Sequence, residues 1–138
     1  MSERPTRPPR RTSHLLGPQR RVCVYSNINT PAVHLVDLES PNFDVIWLKF
    51  CLLTIAIFLC FTYCSPNSSN FIAFFDYLNS CREAMTSEHP QAEFLYLGDF
   101  NVHHREWLKS SHTDAGGVEA LTFSILNDLE KNVSRTLP

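Results

Sequence analysis

Phe94-Leu-Tyr-Leu-Gly-Asp-Phe-Asn-Val-His-His104 is the stretch on which the reading of this chain turns. An apolar run enters Gly98, and Asp99 and Asn101 follow one residue apart. Residues i and i+2 of an extended chain share a face, so a carboxylate and a carboxamide are expected to project together where a strand leaves the core. That pair suits phosphodiester hydrolysis: one group orients or deprotonates a water, and the other hydrogen-bonds a phosphate oxygen. Gly, Asp and Asn also favour turns on conformational grounds, so an Asx-type turn ending the strand fits the same residues. Spacing alone leaves both readings open.

Working outward, Glu93–Leu97 reads as the strand itself. Upstream, Ser68 or Ser69 can cap a helix from about Asn70 to Ser87, with Phe71, Phe74, Phe75, Leu78 and Met85 forming a core-facing stripe at three- and four-residue spacing. His89-Pro90 ends it, because the residue before proline disfavours helical geometry. Downstream, Ser110 to Gly117 reads as a loop, followed by a helix from Val118 to Lys131 whose apolar face carries Val118, Leu121, Ile125 and Leu129. Near the start, Arg21–Tyr25 and His34–Leu38 read as short strands. There are no internal repeats, and strands alternating with helices point to one part of an α/β sandwich.

Between Phe50 and Tyr63 only Thr54 and Thr62 interrupt an apolar run. Extended back to Val45, it approaches the ~20 residues needed to span a bilayer. Phe, Ile and Thr enrichment and the polar stop at Ser65-Pro66-Asn67 favour two buried strands instead, Asp44–Phe50 and Ile55–Cys64. No Gly, Asn or Asp marks the turn between them.

At 138 residues and 43% hydrophobic content, the chain is long enough to bury a core. Its net charge of −2 is unevenly spread: residues 1–21 hold six Arg against one Glu, which leaves six basic and thirteen acidic residues in 22–138. The Arg/Pro-rich arm, 1–21, is expected to be a disordered linker that could touch phosphate without sequence preference. The five cysteines (Cys23, Cys51, Cys60, Cys64, Cys81) include no C-x-x-C spacing and are expected as buried free thiols. With no apolar segment next to the basic start, the chain reads as intracellular, nuclear or cytoplasmic, rather than secreted. Zinc held by His103, His104 and His112 lacks a cysteine pair or an E-x-x-H spacing to support it, so no metal ligand is assigned. Asp114 reads as a solvated loop residue, Glu119 as a first-turn helix acid, and Trp107 as a packing anchor.

Gly98-Asp99-Phe100-Asn101 resembles the GDFN signature of the endonuclease/exonuclease/phosphatase superfamily, which includes apurinic endonucleases and pancreatic deoxyribonuclease. Val102-His103-His104-Arg105-Glu106-Trp107 resembles the N-x-H-H-x-x-W form in endonuclease domains of non-long-terminal-repeat retrotransposons. Tyr63-Cys-Ser-Pro-Asn67 is similar to the Y-x-x-P segment one strand and one helix upstream. The match covers roughly Val22 to Val133, with 134–138 as a tail.

The resemblance implies an α/β fold, a partial four-layer sandwich, and Mg²⁺-dependent hydrolysis of DNA. It implies that Asp99 positions the attacking water, Asn101 contacts phosphate, and Tyr63 hydrogen-bonds the scissile group. His103 and His104 join Asn101 as expected substrate contacts. Members of this superfamily also carry a metal-binding Glu near the start and a Ser-Asp-His near the end; neither appears here, so Mg²⁺ binding and activity are expected to be weak, as for a central piece cut at both ends. No small-molecule cofactor is expected, and membrane association is disfavoured. The competing expectation is a non-catalytic protein that uses the Arg-rich arm for nucleic acid or the 50–63 run for a bilayer.

Overall fold

The computed structural model describes residues 21–131. The arm and the tail, apart from Arg21, lie outside the described residues. Four strands and two helices follow in the order β1 (Ala32–His34), β2 (Asp44–Leu52), β3 (Ile55–Tyr63), α1 (Phe71–Glu88), β4 (Glu93–Asp99) and α2 (Ala115–Leu126). They form one sheet, ordered β1-β2-β3-β4, with antiparallel pairs up to β3 and a parallel β3–β4 pair. A parallel neighbour requires a crossover, and α1 supplies it.

The apolar run is a hairpin. Leu52 pairs with Ile55, so Leu53 and Thr54 make the whole connection, and Leu53 adopts a φ of +55°. No helix among the described residues is long and apolar enough to cross a membrane. Val45, Trp47, Ala56, Phe58 and Cys60 point from one face of the sheet into a core completed by Phe74, Phe75, Leu78, Cys81 and Met85 of α1 and by Ala120 and Phe123 of α2. Two of its polar groups are satisfied in series: Trp47 Nε1–H donates to Tyr77 Oη at 3.1 Å, and that hydroxyl donates to the Leu38 carbonyl at 2.7 Å. Burial pushes the Tyr77 hydroxyl well above its usual pKa, keeping it a donor.

Several sequence expectations change. Arg21–Tyr25 forms no strand: it joins neither edge of the sheet, and a segment that pairs with no neighbour makes no ladder. In place of a strand over His34–Leu38, β1 stops at His34 and Val36–Leu38 tightens into a 3₁₀ turn. Positions three apart eclipse in such a turn, which lets Leu35 and Leu38 both pack on the core. Asn70, rather than a serine, is the N-cap of α1, without a side-chain cap bond. Cys23 and Cys51 are exposed, whereas Cys60, Cys64 and Cys81 are buried; all five are free.

The correction to α2 is larger. It starts three residues early, and its buried face is Gly116, Gly117, Ala120, Phe123 and Ser124, while Val118 and Ile125 are exposed. Small residues win this face because the helix sits very close to its neighbours. A Cβ on Gly117 would lie 1.8 Å from the His103 carbonyl oxygen.

Candidate functional site

β4 delivers the Gly98–Asn101 segment to the end of the sheet. Gly98 has a φ of +137°, and a Cβ there would lie 1.9 Å from the Thr62 carbonyl oxygen, so the close passage of β4 beside β3 requires glycine. The parallel register places Asp99 opposite Tyr63, and the antiparallel register places Asp44 on the other side of Tyr63. Paired residues point to the same face, so two carboxylates flank one phenol in a row across three strands. Tyr63 is half-buried, and the Arg21 guanidinium stacks over its ring at 5.4 Å, an attraction worth about 0.5–1 kcal/mol at an exposed site.

Asn101 departs from the extended geometry assumed above. Its φ is +48°, in the left-handed region, and its backbone N–H donates to Asp99 Oδ1 at 3.0 Å. The strand therefore ends in an Asx-type turn. The turn still gathers the polar groups: Asn101 Nδ2 donates to the Cys64 carbonyl, and Cys64 N–H donates to the Asp99 carbonyl at 2.8 Å. Asp99 thus keeps its second carboxylate oxygen, and Asn101 keeps its amide oxygen and its second N–H hydrogen, for an incoming group. A cavity of about 210 Å³ opens beside Tyr63, lined by Asn42, Asp44, Cys64, Ser65 and Asn67 among others. A larger one of about 450 Å³ lies between α1 and the end of α2, near Asp76 and Glu83, and none of the candidate residues line it. Cys64 is no nucleophile: burial, outweighing its hydrogen bond with Thr62 and assisted by the nearby Asp99 and Asp44 charges, raises its thiol to about 11.

His103 and His104 shape the loop beyond the turn. His104 Nδ1 accepts from Trp107 N–H at 3.2 Å, and its own N–H donates to Ser110 Oγ at 3.3 Å. Trp107 packs against the core. His103 pairs through Nδ1 with Asp114 Oδ2 at 2.8 Å, while Asp114 Oδ1 accepts from the backbone N–H groups of His103 (3.1 Å) and Gly117 (2.7 Å). Partial burial opposes ionisation of Asp114, but these hydrogen bonds outweigh it and hold its carboxyl below the usual value.

Asp114 is therefore the residue that sequence reasoning missed. An Asp three positions before Gly117 is the N-cap signal that would have revealed it. The paired glycines hid the helix start by reading as loop.

No protein-family profile matches the chain, and no curated protein sequence does. Among solved structures, the endonuclease domain of TRAS1, a telomere-specific non-LTR retrotransposon, superposes with a TM-score of 0.58 at 15% sequence identity. This chain shares its fold with part of that domain. The match covers 72% of the chain, which spans only 42% of the TRAS1 domain. A sheet with helices on one face is two of the four layers expected for such a sandwich.

Among the described residues, the two carboxylates beside Tyr63 do not converge on a Mg²⁺ centre. Asp99 and Asp44 sit two strand spacings apart, roughly 10 Å between Cα atoms, whereas Mg²⁺ gathers oxygen ligands at about 2.1 Å. The cation-competent cluster among the described residues is His103, His112 and Asp114, whose two imidazoles suit softer ions.

Proposed function

We propose that this chain forms part of a DNA endonuclease domain of retrotransposon origin, that Tyr63 and Asn101 contact phosphate while Asp99 positions the attacking water, and that it hydrolyses little or no phosphodiester by itself. The observation that carries this reading is the gathering of three groups at one end of the sheet. Asp99 is the register partner of Tyr63, and Asn101 folds back onto the residue after it. A carboxylate, a phenol and a carboxamide there can orient a water and grip a phosphate. Low activity follows from the ligand set, since one Asp with no convergent oxygen donors holds a hard cation poorly.

The uncovered face of the sheet supports the same assignment. Ile46, Leu48, Phe50, Ile57, Leu59, Phe61, Leu95 and Leu97 form apolar ladders across β2, β3 and β4 on the side away from the helices. A face of that composition suits packing against a second sheet, as in a sandwich interior. His103 and His104 fit a supporting role, holding the loop that carries Asn101. DNA is the expected substrate, and the compartment an intracellular one.

The test pairs DNA affinity with nicking. Fluorescence anisotropy on a short duplex at low salt should show binding that weakens several-fold for Tyr63→Phe and for Asn101→Ala, with the fold retained by circular dichroism. Unchanged affinity in both variants would remove the proposed recognition site. Plasmid nicking in Mg²⁺ should stay near background. Robust nicking lost in Asp99→Ala would overturn the inactivity while upholding the site.

A further inference from the structure

His103, His112 and Asp114 form a cluster that the nuclease reading leaves unused. One ligand atom from each lies within 4.8 Å of the others. The two imidazole rings stack with centroids 4.4 Å apart and planes 25° from parallel. Asp114 Oδ1 is held by two backbone N–H groups, so the carboxylate is fixed in place and Oδ2 is the oxygen it offers, 2.8 Å from His103 Nδ1. The His103 and Asp114 side chains are 44% and 33% exposed and His112 is exposed, so water and ions reach the cluster.

We propose that His103, His112 and Asp114 bind one borderline transition cation of the Zn²⁺ class, which clamps the loop from 103 to 114 onto the start of α2. Two nitrogen donors and one carboxylate oxygen match the ligand preference of Zn²⁺, Co²⁺ or Ni²⁺ and mismatch that of Mg²⁺ or Ca²⁺. A tetrahedral ion holds nitrogen and oxygen donors at about 2.0–2.1 Å, which puts the donors roughly 3.3 Å from one another. The His103–Asp114 pair must therefore open slightly, with the ion taking the place of the hydrogen-bonded proton between them. Any pair of donors wider than that must close onto the ion. The exposed His112 on its surface loop can make that movement. Water takes the fourth position.

The site does not depend on the nuclease reading. Its effect on that reading is mechanical: His103 is two residues from Asn101, so a bound ion stiffens the segment that holds the carboxamide.

Cobalt titration tests the site on the full chain carrying Cys23→Ser and Cys51→Ser, because those exposed thiols would take the same ions themselves. One equivalent of Co²⁺ should bind and give a visible ligand-field band without thiolate charge transfer. Zn²⁺ should displace it, and millimolar Mg²⁺ should not. His112→Ala removes a ligand that contributes nothing to the core, and should weaken binding at least about tenfold. Absence of saturable binding, displacement by Mg²⁺, or a smaller change in His112→Ala overturns the proposal.

Discussion

The face of the sheet that meets the helices carries Val45, Trp47, Phe58 and Cys60, each 2% exposed or less. The opposite face carries Ile55, Leu95 and Leu97, each exposed by 39–43%. The two faces are almost equally apolar and differ in what covers them. An antiparallel sheet that keeps one face in water ordinarily shows polar side chains there. β3 instead alternates one apolar residue with another, so its composition prepares it for burial on both sides. Stability in this chain should therefore reside on the helix side, and the open side should govern association.

Trp47→Ala should give the largest effect. It empties a fully buried site and removes the N–H that Trp47 donates to the Tyr77 hydroxyl, at a cost of about 3–5 kcal/mol in thermal or urea unfolding; a loss below about 1 kcal/mol would erase the contrast between the faces. Gly98→Ala, at the end of the same sheet, should cost about 2–4 kcal/mol, because its new methyl group meets the Thr62 carbonyl in a backbone conformation that alanine avoids. At the hairpin, Leu53→Asn should raise stability by about 1 kcal/mol. Asparagine tolerates the left-handed region, and the fully exposed leucine side chain loses nothing by leaving. Smallest is Leu97→Thr on the open face, expected within about 0.5 kcal/mol. That variant should nonetheless reduce self-association in sedimentation or gel filtration, and a large loss of stability would show that the face is covered after all.

Much of the fold was legible in the residues. The α1 stripe, the β2 and β3 strands and the end of β4 all rest on hydrophobic periodicity, which survives folding because burial is what it encodes. The turn at Leu53 was not, since neither of its two residues is a turn former and the geometry is imposed by the flanking ladder. The start of α2 was hidden by Gly116-Gly117, where a demand for close approach overrides helix propensity. At the candidate site, the residue types of Asp99, Asn101 and Tyr63 could be read from the chain, whereas the register that sets Asp99 opposite Tyr63 could not. The route was not readable, because Asn101 reaches the sheet through a left-handed turn rather than along an extended strand. His103 and Asp114 meet across eleven positions, a pairing that only the folded loop reveals.

The crossover from β3 through α1 to β4 also sets an order of assembly. β2 and β3 are joined by two residues and can zip within microseconds, whereas β4 must wait for about thirty residues of chain to fold back. Until it arrives, β3 presents a bare edge flanked by oily residues on both sides, the condition under which neighbouring chains template one another into fibrils. The yield of folded protein should therefore depend on how quickly α1 forms, and slow dilution or a holdase chaperone during refolding should favour recovery more than any change at the site itself.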